Sequence, residues 1–533
     1  MAAEHTGWVA NMVIFTLGRN HLVSDEAWRE YRRALPVNVV DVARTRLLHE
    51  YEPVTKERFD LGRHAGVVPR AEEPVYRWAR YKEAYSPRLV REMLDELLPE
   101  QLGRPGAEAP LVYDPMVGSG TSLLVAAERG LPALGADLMP FATFLSATLV
   151  RWGEADPRAV RQIADDALAG YTSLAGRDWL DVPAAKWAFS PSTLTTLTKL
   201  VGAVDRAPTG VERDLVRLAV LSAVEQVSYA VKDGTSLRRR LPDGPARPGR
   251  PGQQRRAMGA ADVVAGVRQR IDSIVLDLEI SNSSFLPQSA GGLTPADEGE
   301  RMEAASAQAP RSPASRLMVV RADTRQWRPA RETCSVVVFS PPYPNRYDYS
   351  AVYQLELALG NFVSDAAGLR RVRKQLLRSH LEAPPRDDYR VELPALREFL
   401  AAVNGSRVSG DQSGRILRMV AGFFEDMADV LDRLAEALRP GGSVGLVVGT
   451  QTYLGHHLPT DLLLAELARS SGLEIRELWV VRAKGVASQQ RARAGSASRE
   501  TVLILSKPSA HRRRSGRTGR TGHSSVREAG GGV

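Results

Sequence analysis

The chain of 533 residues is poorest in cysteine, with Cys334 alone. One thiol excludes a disulfide within the chain and any zinc cluster built on several cysteines. The nine histidines are scattered and no HExxH occurs, so no metal is expected. The adjacent pair His456-His457 reads as polar loop sequence. Long apolar runs are also missing, and none approaches the roughly 18 residues of a membrane span. The apolar stretch WVANMVIFTL (8–17) follows Glu4, with no basic flank and no small-residue cleavage site, so it does not read as a signal peptide. A cytoplasmic location with no membrane association is expected. There is no internal repeat.

What is present is a globular composition, 43% hydrophobic and 25% charged. The net charge of +9 is unevenly spread. Residues 236–256 hold seven Arg against one Asp, and the tail 507–533 holds seven Lys/Arg against one Glu. Both are rich in Gly, Pro or Ser and almost free of apolar residues. They cannot bury enough surface to offset their ordering entropy, so they are expected to be flexible. Clustered arginine of this kind suits phosphate contact, with release of counterions from nucleic acid.

Along the chain, residues 1–84 form an N-terminal extension without a clear period, apart from a capped helix expected over 24–35. SPRLVREMLDELLPE (86–100) has Ser at N-cap, Pro at N1 and one apolar face, which predicts a helix. PLVYDPMVGSGTSLLVAAERGLPALGADLMP (110–140) then reads as strand, glycine turn, helix and second strand, the start of a doubly wound parallel sheet. The alternation breaks at 151. Residues 151–314 are mainly helical in pattern, including 212–231 and about 258–280, with a linker expected over 283–315. It resumes over 315–506, with strands at 315–325 and 335–339 and a helix at 354–362. A second insertion is expected at 364–412, with no strand signal. Then come a helix from Phe423 stopped by Gly441-Gly442, a strand, a helix and two closing strands. The five segments expected are therefore 1–84, 85–150, 151–314, 315–506 and the basic tail 507–533. The fold class is α/β, one Rossmann-like, mostly parallel sheet with a large helical insertion.

Ligands of such sheets sit at the carboxyl ends of the strands. Asp114, Asp137, Asp323 and Ser340 all fall at expected strand ends. Gly118 and Gly120 let backbone approach a ligand at the N-terminus of the next helix. No GK[ST] follows and the third Gly of a dinucleotide fingerprint is missing, so phosphate is not the obvious ligand. An acid at Asp137 suits two ribose hydroxyls, and the helix N-terminus suits a carboxylate. S-adenosylmethionine, a nucleoside joined to an amino acid, has both. The last motif is SPPY, Ser340-Pro341-Pro342-Tyr343, after the apolar run SVVVF. Two prolines cannot donate to a ladder, so they end the strand in a rigid turn.

DPMVGSGT (114–121) and SPPY together resemble the cofactor and catalytic motifs of amino-group nucleic-acid methyltransferases. Met116 replaces the usual Phe and Ser122 the second Thr. YSPRLVREML (85–94) is similar to the helix entry that helps hold the methionine end of the cofactor in that family, and LRPGGSVGLVVG to the late strand of the same fold. The resemblance covers roughly 85–150 and 315–506. It implies a class I methyltransferase fold and S-adenosylmethionine bound by Tyr85, Ser86, Asp114, Pro115, Gly118, Gly120, Thr121, Asp137 and Asp323. It implies DNA as partner, within a restriction or phage-defence system and its partner proteins.

The catalytic group would be Ser340, Pro341, Pro342 and Tyr343. The target base is flipped out and stacked on Tyr343, while the hydroxyl and carbonyls near Ser340 accept from its exocyclic amine. Asn345, Arg346, Tyr347 and Tyr349, with Asp348, are expected at the pocket or its mouth. Ring-carbon methylation would need a thiolate in a Pro-Cys loop, whereas Cys334 precedes its strand. In the resembling family SPPY goes more often with cytosine N4 and DPPY with adenine N6, which favours cytosine. The insertion, with KDGTSLRRR (232–240), is the candidate for target recognition, against a purely structural helical cover. An RNA amino-methyltransferase, a protein-glutamine methyltransferase and a non-catalytic nucleic-acid binder are the alternatives.

Overall fold

The computed structural model describes residues 42–65, 73–98, 109–177, 179–232, 236–239, 258–283, 317–386, 388–406, 411–484 and 498–509. The helix expected at 24–35, nearly all of the linker at 283–315, and most of the two basic segments lie outside the described residues.

One eight-stranded sheet organises the chain. Its strands are β1 (Thr55–Glu57), β2 (Val112–Asp114), β3 (Ala133–Asp137), β4 (Leu317–Arg321), β5 (Cys334–Phe339), β6 (Leu438–Gly449), β7 (Glu474–Lys484) and β8 (Ser498–Ser506), in the order β1-β7-β8-β6-β5-β2-β3-β4. Every pair is parallel except the two that involve β8. The order turns back between β2 and β5, and that switch point opens a crevice at the strand ends. This is the Rossmann-like class I methyltransferase fold expected from the sequence.

Strand side chains alternate between two cores. Val336 and Val338 of β5, and Val502 and Ile504 of β8, face one core. Val337, Phe339, Leu503 and Leu505 face the other. The first core takes the helices Pro87–Leu97, Thr121–Glu128 and Pro140–Val150 and, continuous with them, the insertion helices Pro157–Gly170, Val211–Ala223 and Ala260–Ser283. The second takes Pro394–Gly405, Gln412–Ala437 and Thr460–Ser470.

The stretch before residue 85 belongs to the same body. β1 pairs with β7 at the sheet edge, and Trp78, Tyr76 and Tyr81 are buried in the first core. Buried Asp277 of the insertion accepts from Trp78 Nε1 at 2.6 Å and Arg77 Nε at 3.1 Å, which ties the insertion to this stretch.

Two local expectations are corrected. The helix expected over 212–231 ends at Ala223. Lys232 N donates to Glu225 Oε1 at 3.1 Å and Ser228 Oγ accepts from Ala230 N at 3.2 Å, so side chains turn the chain back into Ala230–Val231, which pairs with Arg238–Arg239. The helix expected from Phe423 starts at Gln412 and ends at Ala437, before any glycine. Gly441 (φ +79°) lies instead in β6, where the β5 register jumps between the Cys334/Leu438 and Val336/Ser443 pairs. The glycines serve a strand irregularity, not a helix stop.

Candidate active site

The loop after β2 is built around Asp114. Its carboxylate is 1% exposed and accepts from Met116 N at 2.9 Å, from Tyr85 OH at 3.2 Å and from Ser122 Oγ. Burial pushes its pKa up to about 7, against those three donors. Asp114 thus braces the turn from below. Ser86 is also fully buried, and its hydroxyl caps Pro87–Leu97 through Leu89 N. Gly118 (φ +51°) and Gly120 (φ +79°) adopt left-handed backbone that side chains disfavour. A Cβ at Gly118 would meet the Tyr81 ring at 3.2 Å, and one at Gly120 would meet Ser146 Cβ at 3.2 Å.

Asp137, at the end of β3, accepts from Gly118 N at 3.0 Å and Met139 N at 2.9 Å. Burial raises its pKa and the two backbone donors oppose that rise. One N–H on each oxygen leaves lone pairs for a ligand. Asp323 lies two residues past β4 and forms a fork with Arg325, Nε to Oδ1 at 2.8 Å and Nη2 to Oδ2 at 2.7 Å. Arg325 also reaches Asp426, 0% exposed in its side chain, which holds Arg378 Nη1 at 2.6 Å and Arg386 Nη1 at 3.1 Å. This network locks the segment after β5 to the long helix Gln412–Ala437.

A single cavity of about 910 Å³, open mouth included, joins these elements. Tyr85, Pro115, Gly118, Thr121, Asp137 and Asp323 line it on one side, and Ser340, Pro342 and Tyr349 on the other. Of the expected residues, Ser86, Asp114, Gly120, Pro341, Tyr343, Asn345, Arg346 and Tyr347 are not part of its lining. Ser86, Asp114 and Gly120 shape the turn from behind. Tyr343 lays its ring against β6, where a Cβ at Gly449 would meet its Cε2 at 3.1 Å, and its hydroxyl points to Glu500 at 3.5 Å.

Ser340 Oγ donates to Val447 O at 3.1 Å. That spends its one proton, so the oxygen faces the cavity only as an acceptor. The following turn is tightly held. Arg346, a non-glycine residue at φ +72°, donates its N–H to Ser379 O at 3.1 Å and lays its guanidinium 4.9 Å from the Tyr453 ring centroid. Tyr347 N donates to Asn345 Oδ1 at 3.1 Å, and Tyr453 OH donates to Pro344 O.

An aromatic ladder runs beside the cavity. Tyr81 stacks on Tyr353 at 5.0 Å and on Tyr349 at 6.2 Å, and Tyr349 meets Tyr347 edge-on at 4.7 Å. Lys232 of the insertion sits 4.3 Å from the Tyr353 ring centroid and pairs with buried Glu356. Sequence reasoning missed Tyr81, which sits in the stretch before 85 with no period to single it out. It also missed Leu376, Leu377, Ser379 and His380, which line the cavity from the second insertion. That insertion has no motif, and a lone histidine among basic residues carries no signal.

Cys334 is buried at the start of β5, six residues before Ser340, or about 20 Å at a strand's rise per residue. Burial pushes its thiol up to about 12. It supplies no nucleophile here.

No family model matches the chain. It is 26% identical over 465 residues to the Type II methyltransferase M.AvaI of Nostoc sp., covering 82% of this chain and 87% of the relative. It is 24% identical over 470 residues to the Type II methyltransferase M.BsoBI of Geobacillus stearothermophilus, covering 82% and 86%. The chain has the methyltransferase fold. Among solved structures it is similar to TrmN from Thermus thermophilus (12% identity, 79% of this chain and 48% of that one, TM-score 0.23). A SAM-dependent methyltransferase from Methanosarcina mazei shows 8% identity, 77% and 99% coverage, and a TM-score of 0.25. At such scores the fold rests on the strand order described above. Among the described residues no helix is long and apolar enough to cross a membrane, and no side-chain group is suited to hold a metal ion.

Proposed function

We propose that this protein is a site-specific DNA methyltransferase that moves a methyl group from S-adenosylmethionine to an exocyclic amino group, cytosine N4 in preference to adenine N6. One observation carries the reading. The glycine turn, Asp137 and Asp323 share a single cavity with Ser340 and Pro342 at the carboxyl ends of the strands. Similarity to Type II methyltransferases over most of the chain supports it, and a restriction-modification or phage-defence role goes with it.

The residues fit the cofactor chemically. Asp137 has lone pairs left for ribose hydroxyls, and the turn at Gly118 admits a ligand only because no side chain stands there. Asp323 faces the same space. When bound, S-adenosylmethionine supplies a methyl carbon on a positively charged sulfur. The protein's own part is positional. Ser340 Oγ, limited to accepting, holds one hydrogen of the amino group and so turns the nitrogen lone pair. The two prolines keep that turn rigid. Tyr343 and Tyr349 are the candidate faces for the flipped base. The insertion, anchored through Lys232 and Asp277, is the candidate for reading the target sequence.

The test is expression in a methylation-free host, followed by sequencing and nucleoside mass spectrometry of the genomic DNA. N4-methylcytosine in one sequence context is expected. Unmodified DNA, with purified protein methylating RNA, would replace DNA by RNA as substrate.

A further inference from the structure

The acceptor-only character of Ser340 has a consequence for base recognition. An amino-bearing base presents N–H donors beside a ring nitrogen that only accepts, N3 in cytosine and N1 in adenine. Pro341 and Pro342 have no N–H to offer. Ser340 has already given its proton to Val447 O. The Tyr85 hydroxyl is engaged with Asp114 and Ser122. Ser379 Oγ reaches backbone carbonyls of Tyr347 and Leu377, each at 3.5 Å. This wall can hold the amino group, but the ring nitrogen beside it needs a donor from elsewhere.

His380 lines the same cavity, on the Ser340 side, and is 2% exposed. Neither of its ring nitrogens has a partner in hydrogen-bond geometry. A buried imidazole left so costs about 1–3 kcal/mol for each unmet group, so a native site that keeps one is built to receive something. Burial lowers its pKa, with the charge of Asp348 and the backbone of Arg373 acting upward and the charge of Arg373 downward. A neutral ring carries one N–H donor. The loop that bears it is fixed from both sides. Arg378 is held by Asp426 at 2.6 Å and Ser379 O by Arg346 N at 3.1 Å.

We propose that His380 donates the hydrogen bond that recognises the ring nitrogen beside the target amino group. This rests on the amino-methyltransferase reading and assigns a specificity residue to it.

The test uses the full-length protein and duplexes containing the site found by genomic sequencing. In one duplex the target base is its deaza analogue, with C–H in place of that ring nitrogen. Wild type should lose about 10- to 100-fold in kcat/KM on the analogue, the usual worth of such a bond. His380→Ala should lose a similar factor on the normal base and show no further loss on the analogue. His380→Asn, which keeps an N–H donor, should recover part of both. Binding of S-adenosylhomocysteine by calorimetry should stay within about threefold in each variant.

Wild type that methylates the analogue as well as the normal base overturns the proposal without any variant. So does a deaza penalty that survives His380→Ala, or one that disappears in Tyr349→Phe instead and so assigns the donor to that tyrosine. Loss of cofactor binding in His380→Ala with the deaza penalty intact also overturns it. Wild type with no activity on any DNA removes the functional reading itself, a separate result.

Discussion

The two sides of the cavity differ in how their polar groups are satisfied. On the cofactor side, Asp114, Asp137, Ser122 and Tyr85 all bond within the protein, mostly to the backbone of the turn they shape. On the side of Ser340, His380 has both ring nitrogens unmatched, Tyr347 its hydroxyl and Arg346 its Nε. A site whose ligand is the same in every turnover can be closed around its own backbone. A site that receives a base from a duplex has to keep groups in reserve for it. The contrast teaches that preorganisation here is uneven, with a rigid cradle facing a wall of uncommitted groups.

The largest effect is expected from breaking the cradle. Asp137→Ala removes the carboxylate that anchors Gly118 N and, on the proposed reading, two ribose contacts. It should weaken cofactor binding by about 3 kcal/mol, roughly 100-fold, by calorimetry. Unchanged affinity would separate Asp137 from the cofactor.

Tyr343→Ala comes next and probes the opposite wall. If that ring carries the flipped base, target affinity falls by about 2 kcal/mol while cofactor affinity holds. A variant whose loss is confined to melting temperature would make Tyr343 a brace on β6 and leave stacking to Tyr349.

Asp114 tests how tightly the cradle is wound. Its pKa of about 7 lies above the unfolded value, so it favours the folded state most below about pH 4, and that contribution is lost as pH rises through about 7. Relative to Asp114→Asn, wild-type stability should therefore decline between pH 4 and 7, by up to about 1.4 kcal/mol per pH unit. Parallel pH profiles in thermal denaturation would refute this.

The smallest effect is that of Ser340→Ala, which removes one acceptor for about 1 kcal/mol in kcat/KM and leaves cofactor binding alone. Equal activity would shift the orienting role wholly to the backbone carbonyls.

The two motifs were legible because each is local. Gly118 and Gly120 are readable as a turn since no other residue adopts their backbone so cheaply, and SPPY since two prolines must end a strand. Apolar periodicity likewise placed β2, β3, β5, β7 and β8 and the helix after Ser86. The longer helices were less readable. Gln412–Ala437 begins eleven residues before its clearest apolar face, and the chain after Ala223 turns because Glu225 and Ser228 bond backbone at short range, which no period records.

By itself the sequence determined the sheet, the acid at the end of β3 and the rigid turn after β5, because these depend on neighbours a few residues apart. Only the tertiary structure decided that Tyr81 lies over Gly118, that Ser340 spends its proton on Val447, and that His380 enters the cavity unpartnered. Those facts join residues 37, 107 and 40 positions apart, as the differences 118 − 81, 447 − 340 and 380 − 340 show. Hydrogen bonds and ring contacts act over a few ångströms in space, whatever the separation along the chain.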